Sequence, residues 1–343
     1  MTTIHDVAKL AKVSPGTVSN AFNWPEKVKP ATYERILAAA KTLNYQPNVM
    51  AKGLSSGKTF SVGLLTSDIR VPIVANITRG IEDKLDEAGY VPIISSTDGD
   101  SDKTLRLIDQ LRRHGACGYI VVPAQFGVTP AIIDKLEQLH AEGFPTIVSG
   151  HDVLTDRISS VSIGGKKTAV SLTQHLIDLG HRDIAYISPY FSQGQGVLRW
   201  YGFEAAMIAS NIPIRDELVK EVDVTPAASY TAIEELMNLA KPPTAVFAMN
   251  DILARGVIDY ITRYQIKVPD DLSIVGYDYK ALAQRTTPRI TSIVMPAYNL
   301  GWKTAELFID IQRNPSSPAQ MIQLPYTLEI RETTAPPSEI NIV

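Results

Sequence analysis

The segment from Ser14 to Asn23 (SPGTVSNAFN) concentrates small polar side chains in a stretch long enough for about three turns of helix. Hydroxyl and amide groups near the start of a helix suit hydrogen bonding to phosphate oxygens and to the edges of bases. The alternative is that these groups only solvate a surface helix. The residue types favour recognition of a polar polymer over covalent chemistry.

The charge of the chain is unevenly distributed. Residues 1–58 hold eight Lys or Arg and three Asp or Glu, a net charge of +5, whereas the whole 343-residue chain carries −3. The remaining residues therefore carry −8. A basic head on an acidic body predicts that only the head contacts a polyanion, with chance clustering as the alternative.

The head is predicted to form three helices. Thr3 is a suitable N-cap with Asp6 as its capping-box partner, and Ser14 caps the second helix with Pro15 in the first position. A third helix begins near Pro30. Two short helices joined by a tight turn and braced by a third are typical of a helix-turn-helix. The expected inward positions are Ile4, Val7, Ala8, Ala11, Val18, Ala21, Ile36, Leu37, Ala40 and Leu43.

From Phe60 onward, short apolar strands alternate with helices, which predicts an α/β body with doubly wound parallel sheets. About 270 residues exceed what one sheet organises, so two similar lobes are expected. The predicted strands are 61–66, 91–95, 118–122, 146–149, 184–188, 244–248, 272–276 and 321–329. The predicted helices lie near 74–88, 102–114, 129–142, 165–179, 198–210, 227–240, 250–264 and 297–313.

The resulting division has five parts. We expect the head to be followed by a short hinge and linker, then by two lobes between which the chain crosses, because crossings of this kind act as hinges. The tail has two prolines and no heptad pattern, which predicts frayed structure. The predicted parts are 1–46 (head), 47–59 (hinge and linker), 60–160 with 292–330 (first lobe), 161–291 (second lobe) and 331–343 (tail).

The sequence argues against an enzyme and against bound metals or cofactors. It has no glycine-rich phosphate loop, no G-x-S-x-G and no H-E-x-x-H motif. The single cysteine, Cys117, excludes an internal disulfide and fits a reducing cytoplasm, and the six histidines lack metal-ligand spacing. Neither a secretory signal nor an apolar run long enough for a membrane span is expected.

Several motifs resemble the lactose-repressor (LacI/GalR) family of bacterial regulators. The head reads IHDVAKLAKVSPGTVSNAFN and then LNYQPNVMAKGL, and the body contains RGIEDKLDEAGY, HLIDLGHRDIAYIS, RWYGFEAAM, FAMNDILARGV and LSIVGYD. The resemblance covers essentially the whole chain. It implies a transcription regulator, in most such proteins a repressor, whose affinity for operator DNA is set by a small molecule bound between two periplasmic-binding-protein-like lobes.

The resemblance also implies which residues contact DNA. Base-facing and phosphate-contacting residues come from the second helix, and Asn48–Ser56 resembles a hinge helix, with a flexible linker as the alternative. Leu54 would wedge into a minor-groove step, and the small Ala51 would permit close approach. Gly16 supplies no side chain, and Asn20 stands where many members carry arginine. Because arginine suits guanine whereas asparagine suits adenine, a weaker demand for guanine is predicted at that operator position. The implied DNA-binding residues are Pro15, Gly16, Thr17, Ser19, Asn20, Asn23, Tyr45, Asn48, Ala51 and Leu54.

The effector cleft follows from the same resemblance. A surface ion pair remains the alternative for Arg199, and a turn role remains the alternative for Asp278. Ser149 replaces a frequent aspartate, and aromatics common in the family are missing, although Tyr190 or Phe191 could substitute. A sugar or sugar derivative is the leading effector. The implied effector-binding residues are Ser67, Asp68, Ile73, Val74, Ser149, Tyr190, Arg199, Val224, Asn250 and Asp278.

The expected partners are double-stranded, near-palindromic operator DNA, the effector and a second copy of the chain, since two symmetric heads match two half-sites. Whether the effector induces or corepresses stays open. Two rival functions are a periplasmic sugar-binding protein and an enzyme on a doubly wound fold. The basic head and the expected absence of a signal peptide argue against the first, and the missing catalytic motifs argue against the second.

Overall fold

The computed structural model describes residues 2–45, 59–123, 127–153, 155–189, 194–277 and 287–338. The chain forms two compact units, Met1–Phe60 and Ser61–Val343.

The first unit contains the three predicted helices. These are α1 (Ile4–Ala11), α2 (Pro15–Asn23) and α3 (Pro30–Thr42), with a 3-10 turn at Pro25–Lys27. Asp6 N donates to the hydroxyl of Thr3 at 3.4 Å, and the Asp6 carboxylate accepts from Thr3 N at 2.8 Å. This reciprocal capping box fixes where α1 begins.

The small core of this unit matches the sequence prediction except in α3. Leu37 is 39% exposed, whereas Ala39 is buried beside Ile36 and Ala40. Residues 36, 39, 40 and 43 follow the i, i+3, i+4, i+7 pattern of one helix face, and Leu37 lies off that face. The buried residues are Val7, Ala8, Ala11, Val18, Ala21, Ile36, Ala39 and Ala40.

The second unit contains two sheets, each six-stranded among the described residues. The first sheet has the order β11-β5-β4-β3-β1-β2, and all of its neighbouring strands among the described residues are parallel. Its strands are β1 (Ser61–Thr66), β2 (Val91–Ser96), β3 (Ala116–Val122), β4 (Thr146–Ser149), β5 (Ser159–Ser162) and β11 (Met321–Gln323).

The second sheet has the order β12-β10-β9-β8-β6-β7, and only the edge pair β10–β12 is antiparallel among the described pairings. Its strands are β6 (Ile184–Ser188), β7 (Val219–Glu221), β8 (Ala245–Ala248), β9 (Ser273–Tyr277), β10 (Thr291–Val294) and β12 (Thr327–Glu329). Each sheet with its helices forms one lobe.

Helix pairs pack on the sheets of both lobes. In the first lobe α4 (Pro72–Glu87) packs with α11 (Ala297–Arg313), and α5 (Ser101–Arg113) packs with α6 (Pro130–Ala141). In the second lobe α7 (Gly165–Asp178) packs with α8 (Gly194–Ala209), and α9 (Pro226–Met237) packs with α10 (Asp251–Tyr264).

The pair α4–α11 crosses at two glycines. A Cβ on Gly301 would lie 2.0 Å from the carbonyl oxygen of Ile77, and a Cβ on Gly80 would lie 2.1 Å from that of Tyr298. Both distances are shorter than van der Waals contact permits. The backbones approach this closely only because neither residue has a side chain.

Both faces of the first sheet are buried, and successive residues of a strand pack against different helix pairs. Ile120 and Val122 belong to the apolar cluster that contains α4 and α11, whereas Tyr119 and Val121 belong to the cluster that contains α5 and α6. Successive side chains of a strand point to opposite faces. Continuous apolar runs are therefore required, as expected for a doubly wound sheet.

The end of the chain differs from the predicted division in three respects. Strand β10, at 291–294, lies in the second sheet, and only α11 and β11 return to the first lobe. The strand expected over 321–329 is two short strands in different sheets, because Leu324–Tyr326, which includes Pro325, carries the chain across. Strand β5 extends the first lobe to Ser162.

The tail is packed on the second lobe through residue 338, contrary to the expectation of frayed structure. Thr333 is fully buried; its hydroxyl donates to Ile274 O at 2.6 Å and accepts from Thr291 N at 2.8 Å. Ala335 N donates to the Ser273 hydroxyl at 3.1 Å. These hydrogen bonds involve isolated side chains and backbone groups. No periodic sequence pattern therefore predicts them. Residues 339–343 lie outside the described residues.

Within the described ranges, no helix has both the length and the apolar character needed to cross a membrane. The same residues contain no group of three His, Cys, Asp or Glu side chains placed to hold a metal ion.

Candidate functional site

Helix α2 presents a polar face opposite its buried anchor. Val18 is fully buried, whereas Gly16 and Asn20, which lie four residues apart, are exposed. Residues at this spacing share one face of a helix. Pro15, Gly16 and Asn20 are the base-facing positions that the family resemblance implies, and two of them, Gly16 and Asn20, are therefore available to a partner along one line of the helix.

The start of α2 is fixed by its own side chains. The Ser14 hydroxyl accepts from Thr17 N at 3.1 Å and shares a hydrogen bond with the Thr17 hydroxyl at 2.8 Å. Pro15 occupies the first turn, where its missing N–H is not needed. The Thr17 hydroxyl is thus oriented by Ser14, which suits a phosphate contact that must hold a fixed position.

Two further side chains near the end of α2 were missed from the sequence. Trp24 is 46% exposed, and the Nζ of Lys27 lies 4.8 Å from the centre of its ring. This pairing holds a cation beside the polar helix. Tyr45, an implied DNA contact, is partly buried and packs against Phe22 with ring centres 6.0 Å apart. Burial raises the pKa of Tyr45.

The hinge residues implied by the resemblance, Asn48, Ala51 and Leu54, lie outside the described residues. The side chain of Asn23, the last residue of α2, is likewise not described.

The two lobes enclose a cavity of about 360 Å³ at the carboxyl ends of their strands. Ser67 and Asp68 follow β1, Ser149 ends β4, Asn250 follows β8 and Met295 follows β10. Carboxyl ends of parallel strands at the switch point of a doubly wound sheet form the usual ligand position of such folds. The geometry is that of a small-molecule binding site.

Most of the implied effector residues meet at this cavity. The lining residues among them are Ser67, Asp68, Ile73, Val74, Ser149, Val224 and Asn250. Tyr190 and Asp278 lie outside the described residues.

Arg199, the remaining described residue of the implied set, is not among the side chains that line the cavity. It is 4% exposed, its Nη1 donates to Met249 O at 2.7 Å, and its guanidinium carbon lies 3.4 Å from the centre of the Tyr277 ring. The guanidinium is held by a backbone carbonyl and an aromatic face. Met249, whose carbonyl accepts this bond, directly precedes the lining residue Asn250.

Two polar lining residues are held in fixed orientations. The Asn250 side-chain oxygen accepts from Leu253 N at 2.9 Å and so caps α10. The Ser149 hydroxyl shares a 2.7 Å hydrogen bond with that of Thr304 on α11. Such fixed groups favour selective recognition because they need little reorganisation when a ligand binds.

The acidic groups at the cavity are paired. Arg70 Nη2 lies 2.8 Å from Asp68 Oδ2, and its hydrogen bonds lower the pKa of that carboxyl. Lys103 Nζ lies 2.5 Å from Asp98 Oδ2. The sequence analysis missed Arg70, Asp98 and His151 as lining residues. The strand-end rule that selected Ser67 and Ser149 could have found them, because they follow β1, β2 and β4.

A helix-turn-helix unit followed by a two-lobed unit with a cavity at its strand ends defines a class of proteins, the DNA-binding regulators that respond to small molecules. Comparison with known families agrees. Residues 3–48 match the model of bacterial regulatory proteins of the lacI family, and residues 173–334 match a periplasmic binding protein-like domain.

Curated relatives extend the match over the full chain. Catabolite control protein A of Priestia megaterium is 33% identical over 333 residues, covering 97% of this chain and 99% of the relative. The HTH-type transcriptional repressor PurR of Histophilus somni strain 2336 is 32% identical over 336 residues, covering 97% and 99%. The chain belongs to the lacI family of bacterial regulatory proteins. It is a DNA-binding transcription regulator and not an enzyme.

Solved structures share the fold. A complex of the transcriptional regulator CelR with cellobiose has a TM-score of 0.71 at 28% identity and covers 97% of this chain and 100% of the other. A lacI-family regulator from Enterococcus faecium with bound ribose has a TM-score of 0.68 at 28% identity, covering 80% and 99%. The lac repressor dimer bound to operator has a TM-score of 0.86 at 24% identity, covering 97% and 99%.

Proposed function

We propose that the chain represses transcription in the cytoplasm by binding a near-palindromic operator as a homodimer. A sugar or sugar derivative in the cavity between the lobes controls this binding. The observation that carries the proposal is the cavity, because its lining comes from strand ends of both sheets.

A ligand in this position touches both lobes. It therefore has a different affinity for each arrangement of the lobes, and it shifts the population toward the arrangement that it fits. A change of operator affinity follows when the two arrangements hold the paired heads differently. The sign of the response depends on which arrangement the ligand favours.

The polar face of α2 supports the DNA side of the proposal. Exposed Asn20 suits bidentate contact with the N6 and N7 atoms of adenine, and Gly16 leaves its neighbouring base uncontacted by a side chain. Thr17 and Ser19 serve as phosphate contacts that set the register. The lac repressor of similar fold is a dimer on its operator, which supports two copies and two half-sites here.

The lining favours a sugar over a flat aromatic ligand. No Phe, Tyr or Trp is among the described residues that line the cavity. Stacking on a purine ring needs such a side chain, whereas a sugar needs hydroxyl, carboxylate and amide partners such as Ser67, Asp68 and Asn250. Two structures of similar fold contain cellobiose and ribose.

Filling the cavity tests the proposal. Val224→Trp places a large ring in the ligand space, whereas Ile208→Trp makes an apolar-to-Trp change at a position that is 65% exposed on α8. A screen of neutral sugars by thermal shift first identifies a ligand, because binding to the native state raises the Tm. Operator affinity is then measured by fluorescence anisotropy with and without that ligand.

We expect Val224→Trp to bind the operator with an affinity within about threefold of the unmodified protein and to lose the ligand response. Ile208→Trp should retain that response. If Val224→Trp responds like the unmodified protein, the cavity is not the effector site.

A further inference from the structure

The side chain of His151 is the unexplained group of the cavity. It follows β4 by two residues, after Gly150, whose φ of +87° turns the backbone sharply. The ring is partly exposed and lines the cavity, yet its Nδ1 is buried without a hydrogen-bond partner.

The buried Nδ1 of His151 lacks a hydrogen-bond partner, which is unusual for a polar atom inside a folded protein. Buried polar atoms of folded proteins are nearly always hydrogen-bonded, and each exception needs an explanation. No hydrogen bond to the Nδ1 of His151 is found within the described part of the chain. A half-turn of the ring about its Cβ–Cγ bond exchanges Nδ1 with Cδ2, so either nitrogen can be directed at a bound molecule.

The imidazole is uncharged at neutral pH. Burial, with a smaller contribution from the positive charge of Arg199, lowers the pKa of His151 to about 3. A neutral imidazole offers one N–H donor and one lone pair. A hydroxyl group matches this ring in either orientation, because it both donates and accepts.

The remaining polar lining is also close to electrically balanced. The carboxylates of Asp68 and Asp98 are paired with Arg70 and Lys103. The lining also includes four apolar side chains, Ile73, Val74, Val224 and Met295. Among the described lining residues, no cation is left to neutralise a phosphate group. The complement of such a lining is a molecule with many hydroxyl groups, some apolar surface and no net charge.

We propose that His151 is an effector-contacting residue that hydrogen-bonds to a hydroxyl of an uncharged, polyhydroxylated ligand, and that the cavity selects such ligands over their phosphate esters. This inference rests on the proposed function for the existence of an effector. It adds a contact residue and a charge class. The competing role for His151 is packing alone, in which its nitrogens do not matter.

The test uses paired probes on the full-length protein. D-ribose, D-glucose and cellobiose are compared with ribose 5-phosphate and glucose 6-phosphate by thermal shift, and the strongest hit is titrated calorimetrically. The variants are His151→Leu, which removes both nitrogens, and His151→Gln, which keeps a polar group. His114→Leu, at an exposed histidine, is the matched control.

The strongest hit should be an uncharged sugar. Its Kd should rise at least about tenfold in His151→Leu, recover in part in His151→Gln and stay within about twofold in His114→Leu. Unchanged far-ultraviolet circular dichroism and operator binding show that His151→Leu is folded. The inference is overturned by a His151→Leu variant that binds the hit as tightly as the unmodified protein does. A phosphate ester as the strongest hit overturns it equally.

Measuring sugar binding and operator affinity on the same variants distinguishes a failure of the His151 contact from a failure of the regulatory role. A sugar whose binding depends on His151 but leaves operator affinity unchanged supports the inference and contradicts the regulatory role. A sugar that releases or strengthens operator binding without dependence on His151 supports the regulatory role and contradicts the inference.

Discussion

The carboxylate of Asp152 accepts a hydrogen bond from the backbone N–H of Gly165 at 2.7 Å, where α7 begins. The same carboxylate accepts from the Ser162 hydroxyl and, at 3.4 Å, from Gln323 Nε2. Ser162 ends β5 and Gln323 ends β11, the points at which the chain leaves the first sheet for the second lobe. One side chain therefore ties two crossings to the loop that carries His151.

Asp152→Asn should lower the stability of the body and weaken the effector response. The amide has one acceptor oxygen where the carboxylate has two, so the bonds from Ser162 and Gly165 cannot both be kept on separate oxygens. We expect a loss of about 1–2 kcal/mol in the free energy of unfolding, measured by urea titration. Asp134→Asn, at an exposed position on α6, is the control. Equal stability of the two variants would show that the Asp152 carboxylate does not hold the crossings.

Gly301→Ala should destabilise the body strongly. The added methyl group would lie 2.0 Å from Ile77 O, and α4 and α11 must separate to accommodate it. Overpacking of this kind costs about 1–3 kcal/mol, which lowers the midpoint of denaturation. The same substitution at Gly16, where the nearest atom is the Ser14 hydroxyl oxygen at 3.7 Å, should be tolerated. A Gly301→Ala protein that melts at the unmodified temperature would contradict the close crossing.

His181 should make stability depend on pH. The ring is 1% exposed and bonded to the Thr244 hydroxyl and to Ala335 O, both at 2.9 Å. Burial lowers the pKa of His181 from its ordinary value of 6.5, so the folded protein binds fewer protons than the unfolded chain. The stability that this residue contributes is present above the unfolded pKa and is lost as pH falls below it.

The measurement is the Tm at several pH values between about 7.5 and 5.5. His181→Gln should reduce the acid-induced decrease in Tm, although His175, whose pKa burial also lowers, continues to contribute. His114→Gln should leave the decrease unchanged, because its side chain is exposed. If the Tm of the unmodified protein, His181→Gln and His114→Gln falls equally with decreasing pH, the contact of His181 with the tail is not pH-sensitive.

Asn20 should set the base preference of one operator position. In vitro selection with the unmodified protein should return adenine opposite Asn20, and Asn20→Arg should shift that position to guanine. Each matched contact is worth about 1–3 kcal/mol of discrimination, which anisotropy titrations on single-base operator variants can resolve. A strict guanine that persists in Asn20→Ala would place another residue at that base.

Much of the fold can be predicted from the periodicity of apolar residues. Strand β5 could not, because it depends on long-range hydrogen bonds. Strand β5 is fully buried although three of its four residues are serine. Two of its residues are hydrogen-bonded to a segment more than 150 residues away: Ser160 N donates to Gln320 O at 2.9 Å, and Gln320 N donates to the Ser159 hydroxyl at 3.1 Å. A search for apolar patterns cannot predict a serine-rich strand that is stabilised by long-range hydrogen bonds.

The candidate site was also predictable only in part. The positions that line the cavity follow from where strands end, which the apolar runs indicate well. Side-chain direction depends on packing that comes from other elements. Arg199 illustrates this, because its guanidinium packs on the Tyr277 ring and donates to Met249 O, and no local pattern predicts either contact. His151 illustrates the converse, since nothing local distinguishes it from a solvated loop histidine.

The return of the chain end to both lobes bears on biosynthesis. Strand β11 completes the edge of the first sheet, β12 completes the edge of the second, and Thr333 closes over β9 and β10. A nascent chain that has left the ribosome only as far as β10 lacks an edge strand of each sheet and also lacks the α11 partner of α4. Neither lobe can reach its final packing during most of translation, so a prematurely terminated product would be a substrate for proteases before it could act as a regulator.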